Sequence, residues 1–368
     1  MVDLQGQYLR LKEDIDHAIE EVLCSAQFVR GPVVGAFEQE LANYLNGKHV
    51  LGVANGTDAL QIAYMALGIG PGDEVITPAF TFIATAEAAA LLGATPVFAD
   101  ITPDTFTLDP AHVEALITPR TRAIVPVHLF GQAADMDPLL DIGERYGIPV
   151  IEDNAQAVGA TYQGRKTGVL ASLGTLSFFP AKNLGAYGDG GAVITNDDSL
   201  HERLRMIANH GGRHKYYNEV VGVNSRLDAL QAAILRVKLR HLDAFAEARQ
   251  AAADRYDALL APCRHIVTPK RAPYGEHVFH QYTLRILPTA SSGRDVLQKH
   301  LKARGIPFGV YYPVPLHQLP VFMDVATARS GPLPETERAA QAVISLPMHT
   351  ELTAQQQEIV AQAVLECV

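Results

Sequence analysis

The sequence contains no tryptophan and only three cysteines among its 368 residues. Cys24, Cys263 and Cys367 are too far apart for a short metal-ligand spacing, and their odd number does not complete a set of disulfides. We therefore expect neither a metal site nor a disulfide framework, and a reducing compartment fits this cysteine usage best.

Long apolar runs are also missing. No run reaches the length of a membrane span, and the polar, helix-patterned N-terminus lacks the apolar core of a secretory signal. The net charge is -10, yet there is no block of five or six like charges and no alternation of Lys or Arg with aromatics. We expect a cytoplasmic protein that has no nucleic-acid or membrane partner.

What is present favours a compact globular protein. Hydrophobic residues make up 48% of the chain and charged residues 19%, which suffices for a sizeable core. Because 368 residues exceed the usual size of a single core, one large domain and one smaller domain are expected.

Between about residues 50 and 195, short apolar runs alternate with helical patterns. The strand-like runs are VLGVA, EVITPAF, TPVFAD, RAIVPVHLFG, IPVIED, TLSFF and GGAVIT. This rhythm is typical of an α/β fold with a mostly parallel sheet, and few charges in the runs indicate strands covered on both faces. Ligands of such sheets bind beyond the carboxyl ends of the strands.

The last third of the chain has a different pattern. A long helical stretch rich in Ala and Leu is followed by two strand-like segments, HVFHQYTLRIL and FGVYYPVPL, and by two further helical patterns. We predict a large α/β domain over residues 1–240, which includes the N-terminal helical segment, and a smaller α+β domain over residues 241–368.

Two strand ends carry polar groups that suit a phosphate or a charged ring. Asn55-Gly56-Thr57 opens a helix, where backbone N–H groups can bind a phosphate or can simply be capped. Asp153 ends the run IPVIED, where its carboxylate can pair with a protonated ring nitrogen or cap a helix beside a solvated Glu152. Both interpretations of each position are open at this point.

Lys182 lies between the strand-like run TLSFF and a glycine-rich stretch over 184–191. Most lysines are solvated surface groups. Partial burial at this place would lower the pKa of the amine and free it to attack an aldehyde. Gly56, Thr57, Asp153 and Lys182 all lie at strand ends of one α/β unit, and this combination favours a cofactor site.

These motifs, in this order, resemble the DegT/DnrJ/EryC1/StrS sugar aminotransferases. The resemblance runs from VDLQGQY to SLPMH and rests on NGTDAL, TPAFTFIATAEA, VIEDNAQAVGA, SFFPAKNLGAYGDGGAVIT and VGVNSRLDALQAAIL. It implies the aspartate-aminotransferase-like fold of fold-type I pyridoxal 5'-phosphate (PLP) enzymes, with a mostly parallel seven-stranded sheet. It also implies a PLP-dependent transaminase.

The resemblance implies roles for the matching residues. Lys182 would form the Schiff base with the cofactor and act as general base, and Asp153 would pair with the ring nitrogen. The other implied contacts are Gly56, Thr57 and Ser177 at the phosphate, Phe82 against the ring and Gln156 near the 3-oxygen. The alternatives are a core aromatic for Phe82 and a locally bonded hydroxyl for Ser177.

Asn224, in VGVNSRLD, matches a family asparagine that reaches the cofactor phosphate of the neighbouring subunit. Each active site would then need residues of two chains. A homodimer with shared active sites is the implied assembly.

The implied reaction moves the amino group of L-glutamate to a nucleotide-linked keto-sugar. Lysine at position 182 separates the chain from the family's dehydratases, which carry histidine there. The string NSRLDALQAA resembles members that aminate C3, whereas C4 enzymes more often show NYRM-like sequences. The chain looks like enzymes acting on UDP-2-acetamido-3-keto-glucuronic acid, in which a basic residue such as Arg226 could meet the sugar carboxylate.

Several alternatives stay open. Arg226 could instead form a salt bridge between helices, and Tyr311 stands where the uronate enzymes carry His, which leaves a dTDP-linked 3-keto-6-deoxyhexose as another substrate. Tyr312 and His317 are candidate sugar contacts, although a loop histidine is often simply packed. A non-catalytic PLP-binding regulatory protein is the hypothesis from a different class.

Overall fold

The computed structural model describes residues 1–214, 216–288, 293–323 and 329–368. The helices within these ranges are α1 Leu4–Arg10, α2 Lys12–Ser25, α3 Pro32–Leu45, α4 Gly56–Ala66, α5 Ala84–Leu91, α6 Pro110–Leu116, α7 Met136–Tyr146, α8 Asp198–Ile207, α9 Ala229–Leu239, α10 Leu242–Leu260, α11 Arg294–Ala303, α12 Pro320–Met323, α13 Pro334–Ala342 and α14 Ala354–Leu365. None of these helices combines the length and apolar character that a membrane crossing needs.

The strands are short, as expected for an α/β protein. They are β1 His49–Val53, β2 Glu74–Pro78, β3 Thr95–Ala99, β4 Thr121–Ile124, β5 Ile151–Asp153, β6 Thr161–Tyr162, β7 Arg165–Lys166, β8 Leu173–Ser177, β9 Gly191–Thr195, β10 Gly212–His214, β11 Tyr217–Asn218, β12 Ile266–Val267, β13 Tyr282–Ile286, β14 Arg329–Ser330 and β15 Val343–Leu346.

The main sheet confirms the predicted topology. Its two halves have the strand orders β1-β9-β8-β5 and β4-β2-β3-β14, and they are joined by the parallel bridges Ile124–Val150 and Val127–Asp153. Among the described strands of this sheet, only β9 runs antiparallel to its neighbours. The seven predicted strands are all present, and β14 adds two further paired residues at the edge.

Helices cover both faces of this sheet, which explains why its strands carry so few charges. Val75 and Ile76 are adjacent on β2, point to opposite faces and are both fully buried. Val75 packs with α4, α5 and α8, whereas Ile76 packs with α6 and α7. The N-terminal helices α2 and α3 form a third apolar cluster with α9.

The C-terminal residues form a second, antiparallel sheet of order β12-β13-β15. Buried side chains of α10, α11 and α14 pack on this sheet. The predicted boundary between residues 240 and 241 falls between α9 and α10. The division into two domains stays a prediction.

The strand predicted over FGVYYPVPL is wrong. Gly309 forms one β-bridge to Ser345, after which the chain continues without strand pairing. Pro313 and Pro315 have no N–H to donate to a neighbouring strand, which explains the loss of pairing. As a result, Tyr311 reaches a cavity at the edge of the main sheet.

Candidate active site

A cavity of about 690 Å³ lies at the carboxyl ends of β5 and β8, beside the start of α4. It brings together most of the residues that the sequence predicted for the site. These are Gly56, Thr57, Phe82, Asp153, Gln156, Ser177, Lys182 and Tyr312, and Tyr311 lies there as well. The cavity does not include Asn224, Arg226 or His317.

The start of α4 forms one wall of the cavity. Asn55 is the N-cap, and its side chain accepts a hydrogen bond from the Asp58 N–H at 2.8 Å. The N–H groups of Gly56 and Thr57 lie in the first turn, where no intrahelical acceptor exists, so they are available to an anion in the cavity. A Cβ on Gly56 would lie 2.7 Å from the Ser177 Cβ, and this close approach requires glycine.

Asp153 ends β5 and is 4% exposed. Its carboxylate accepts hydrogen bonds from the Thr85 hydroxyl at 2.7 Å and from the Ala155 N–H at 3.2 Å. No helix begins at this position, so the helix-cap interpretation is wrong. These two bonds hold the carboxylate in place beside the cavity.

Glu152 precedes Asp153 and was expected to be solvated, but it is fully buried. Side chains alternate across a strand, so Glu152 points to the opposite side of β5. There it pairs with His128 at 2.9 Å and accepts hydrogen bonds from the N–H groups of Gly168, Leu170 and Ala171. Glu152 therefore has a structural role away from the cavity.

Lys182 follows β8 in a turn that its own N–H closes with the Phe179 carbonyl at 2.8 Å. Burial lowers the pKa of the Lys182 amine to about 8, against the opposing effect of the Asp153 charge. The amine is therefore partly neutral near physiological pH, as a nucleophile or a base must be. The sequence predicted that burial would lower the pKa of Lys182, and its surroundings in the structure have this effect.

The loop after Lys182 is held by α9. The Lys238 amine, 1% exposed, donates to the Gly185 carbonyl at 2.7 Å and lies 4.2 Å from the centre of the Tyr187 ring. The side-chain carbonyl of Gln231 accepts from the Tyr187 N–H at 2.8 Å. Both contacts fix the backbone just beyond Lys182, and the sequence did not indicate either of them.

Other cavity residues share hydrogen bonds. The Gln156 side chain accepts from the Phe130 N–H at 2.8 Å and donates to the Tyr312 hydroxyl at 3.0 Å. Burial raises the pKa of Tyr312, so its hydroxyl keeps its proton. Phe82 lines the cavity and is 55% exposed, so it is not a core aromatic. Ser177 accepts a long local bond from the Phe179 N–H at 3.3 Å, and its own proton stays available to a ligand.

Sequence reasoning missed two residues that line the cavity, His280 and Gln281, and a third residue, Thr85, that holds the lining residue Asp153 in place. Thr85 bonds to Asp153, and it lies in the quoted motif TFIATAEA without having been singled out. His280 is buried beside Lys182, its Nδ1 lies 3.3 Å from the Asn183 Oδ1, and burial lowers its pKa. The buried Oε1 of Gln281 has no hydrogen-bond partner among the described residues. His280 and Gln281 fall in a segment whose pattern predicted only a strand.

The remaining predicted residues lie elsewhere. Asn224 is exposed and forms a β-bridge with Asn209. His317 lies 3.3 Å from the Glu337 carboxylate. Arg226 lines a second cavity and makes no ion pair within the described ranges, so the inter-helix salt bridge is not observed.

Comparison with known proteins decides the family. A family model described as the DegT/DnrJ/EryC1/StrS aminotransferase family matches residues 9–365. The chain belongs to this family. It is accordingly a PLP-dependent sugar aminotransferase, and the predicted fold and cofactor are confirmed.

Similar proteins cover almost the whole chain. A pleiotropic regulatory protein of Geobacillus stearothermophilus is 51% identical and matches 100% of this chain and 97% of its own length. A UDP-2-acetamido-2-deoxy-3-oxo-D-glucuronate aminotransferase of Pseudomonas aeruginosa is 48% identical, with 98% of each chain covered. The crystal structure of DesV from S. venezuelae in complex with a ketimine intermediate is similar, with a TM-score of 0.95 and 47% identity. The match covers 99% of this chain and 97% of the DesV chain.

The cavity of this family member fits PLP. The first turn of α4 offers N–H groups to a phosphate, and the approach of Gly56 to Ser177 leaves no room for a side chain between them. A buried carboxylate at Asp153 and a partly neutral buried amine at Lys182 suit a protonated ring nitrogen and an aldehyde. The unpaired Oε1 of Gln281 is a further polar atom that a ligand could satisfy.

Proposed function

We propose that this sugar aminotransferase transfers the amino group of L-glutamate to C3 of a nucleotide-linked keto-sugar of the UDP-2-acetamido-3-keto-glucuronate type. One observation carries the proposed chemistry: the Lys182 amine is buried in one cavity with the Asp153 carboxylate and the open first turn of α4. The P. aeruginosa relative, whose name contains this substrate, supports the choice of sugar.

In this proposal Lys182 and Asp153 act on the cofactor directly. Asp153, oriented by Thr85 and Ala155, holds a proton at the ring nitrogen. When bound, PLP supplies an electron sink for the carbon that loses a proton. The Lys182 Nζ, with its pKa near 8, takes that proton from L-glutamate and later returns a proton at the sugar carbon.

The other predicted contacts position the cofactor. Gly56, Thr57 and Ser177 bind its phosphate, Phe82 covers one ring face and Gln156 approaches the 3-oxygen. All five line the Lys182 cavity. Because Gln156 also donates to Tyr312, the same side chain links the cofactor to the proposed sugar contact.

Sugar recognition is proposed for Tyr312, Arg226 and His317. Tyr312 is in the cavity, whereas His317 is turned to Glu337 and Arg226 lies outside it. Tyr311, in the cavity where uronate enzymes carry His, favours the alternative substrate, a dTDP-3-keto-6-deoxyhexose aminated at C3 or C4.

A second candidate function is PLP binding for regulation, without turnover. It is favoured by the name of the G. stearothermophilus relative, a pleiotropic regulatory protein at 51% identity. The buried amine, in one cavity with the Asp153 carboxylate, favours the enzyme, because a sensor needs no proton carrier beside its ligand.

Absorbance of the PLP-loaded protein distinguishes the two functions. We expect L-glutamate to remove the visible band of the bound cofactor and to release one 2-oxoglutarate per site. Lys182→Ala should abolish the band and turnover, whereas Lys302→Ala, at an exposed lysine of α11, should change neither. A loaded wild-type protein whose band does not respond to amino donors would contradict the enzyme.

The substrate is tested by a screen of UDP- and dTDP-linked keto-sugars, with the position of the new amine determined by NMR. We expect amination at C3 of a UDP-linked 3-keto-uronate. A product aminated at C4, or a clear preference for the 6-deoxyhexose, would contradict the proposed substrate while leaving the transaminase chemistry intact.

We also propose a homodimer in which Asn224 contributes to the site of the neighbouring chain. Support comes from its exposure and from its position outside the cavity of its own chain. Two exposed apolar residues offer surface to a partner. Val221 is 86% exposed and precedes Asn224 by three residues. Val29 is 55% exposed and forms a β-bridge with Asp228, four residues after Asn224.

A further inference from the structure

A second cavity, of about 210 Å³, lies beside the start of α3. Its charged lining residues are Arg30, Arg205, Arg226 and Glu38. They come from separate parts of the chain, since Arg30 precedes α3, Arg205 lies on α8, and Arg226 precedes α9. This arginine cavity is separate from the Lys182 cavity, with which it shares no lining residue.

The charges in the arginine cavity are not balanced. None of the three arginines has a carboxylate within ion-pair distance in the described part of the chain. Glu38 accepts a hydrogen bond from the Gly52 N–H at 2.8 Å instead. Partial burial, followed by the charges of Arg205 and Arg226, lowers the pKa of Arg30, so the three cations lie close enough to repel one another. Arg30 and Arg205 are exposed and Arg226 is half-buried, so three arginines at the rim of the cavity face one carboxylate and give it an excess of two positive charges.

The backbone adds positive potential at the same place. The 14-residue helix α3 begins at Pro32, and its N-cap Gly31 has no side chain to satisfy the first turn. Gly31 and Val34 both line the arginine cavity, so the first turn of α3, in which Val33 and Val34 carry free N–H groups, borders it. The helix dipole therefore reinforces the arginines in favouring an anion.

We infer that the arginine cavity is a phosphate-binding site, distinct from the one that holds the cofactor phosphate. Phosphate carries between one and a half and two negative charges near neutral pH, roughly the uncompensated charge of the cavity. Its oxygens also match the paired N–H groups of arginine and a helix N-terminus. A singly charged carboxylate would leave one positive charge unbalanced.

The arginine cavity is connected to the cofactor side by one short link. Ser225 lines it, and the Ser225 hydroxyl accepts a hydrogen bond from the Ala54 N–H at 3.0 Å. Ala54 precedes Asn55, the N-cap of α4. Ser225 therefore links the arginine cavity, through Ala54, to the first turn of α4, which lines the Lys182 cavity.

Calorimetric titration of inorganic phosphate into the PLP-loaded protein tests the site, because bound PLP already fills its own phosphate position. Ionic strength is kept constant with chloride. We expect saturable binding that Arg205→Gln and Arg30→Gln each weaken about tenfold or more, the loss of one charge-assisted contact. Arg165→Gln, which removes the same charge from the exposed strand β7, should change the affinity less than about twofold.

Glu38→Gln is a second variant with the opposite expected sign. It keeps an acceptor for the Gly52 N–H but removes the one carboxylate among the described residues that line the arginine cavity, so phosphate should bind at least about threefold more tightly. The inference would be overturned if phosphate did not bind the wild type saturably, or if Glu38→Gln left the affinity unchanged. It would also be overturned if the control Arg165→Gln weakened phosphate binding as much as Arg205→Gln and Arg30→Gln.

A parallel titration with UDP identifies the source of the phosphate. If Arg205→Gln weakens UDP binding as much as phosphate binding, the cavity receives the diphosphate of a nucleotide. If it weakens the binding of inorganic phosphate alone, the cavity holds a free anion. Both results support the site, and neither depends on which sugar the enzyme uses.

Discussion

Among single residues, Lys182 shows most directly how folding creates reactivity. Its amine has an ordinary pKa of 10.5, and burial lowers this to about 8. Between these two values the unfolded chain binds a proton that the folded chain has lost. The free energy of unfolding therefore rises with pH across this window, and this contribution is lost as the pH falls through about 8.

The pKa of Lys182 leads to a prediction for the PLP-free protein. The rate at which an acylating reagent modifies Lys182 should rise with a midpoint near pH 8, measured by mass spectrometry of the peptide that contains it. Asp153→Asn should move the midpoint to lower pH, because the Asp153 charge raises the pKa of the lysine. A midpoint near 10.5 in the wild type would show that the amine is not desolvated.

At the scale of elements, the start of α4 depends on close backbone contacts with β8 and β9. A Cβ on Gly56 would lie 2.7 Å from the Ser177 Cβ, and a Cβ on Gly191 would lie 2.4 Å from the Asn55 carbonyl. These distances leave no space for a methyl group, so the helix start must move if either glycine is replaced. The phosphate position proposed there would move with it.

Gly56→Ala is therefore expected to lower the free energy of unfolding by about 1–3 kcal/mol and to weaken PLP binding by about tenfold or more. Denaturant unfolding of the PLP-free protein and fluorescence titration with PLP measure the two effects separately. Gly35→Ala in α3 is the control, because no atom lies within 4 Å of the added Cβ, and it should be neutral or slightly stabilising. Equal PLP affinities in wild type and Gly56→Ala would contradict the proposed phosphate position.

At the scale of the whole molecule, the question is whether one chain holds a complete active site. Lys182 and Asp153 share a cavity, whereas Asn224 is exposed outside it. If Asn224 serves the neighbouring chain, two defective chains can form one intact site between them.

We expect purified hybrids of Lys182→Ala and Asn224→Ala chains to recover about half of the wild-type activity, since one of two sites is then complete. The activity of the Asn224→Ala homodimer should be about tenfold or more below that of the wild type, because one hydrogen bond to a phosphate is lost. Hybrids of Lys182→Ala and Asp153→Asn chains are the control and should stay inactive, because both residues lie in the same cavity. An inactive hybrid in the first case, or an active protein that sediments as a monomer, would contradict the shared site.

The order of motifs along the chain was enough to predict the parallel sheet, the cofactor, and the positions of Lys182 and Asp153. The sheet and the strand-end positions follow from local pattern, because apolar runs form covered strands and polar residues at their carboxyl ends meet at one edge of the sheet. The cofactor, by contrast, was implied by the resemblance of the motifs to a known family. The different roles of Glu152 and Asp153 became clear only in the structure. Their side chains point to opposite sides of β5, so Asp153 faces the cavity while Glu152 pairs with His128.

Only the tertiary structure decided which distant residues meet. Thr85 is 68 positions from Asp153, and Lys238 is 53 positions from Gly185, so neither hydrogen bond leaves a pattern in the sequence. The arginine cavity likewise joins Arg30, Arg205 and Arg226 from three separate segments. Periodicity records the neighbours of a residue along one helix or strand, whereas a binding site is formed where several elements pack together, and those contacts exist only after the chain has folded.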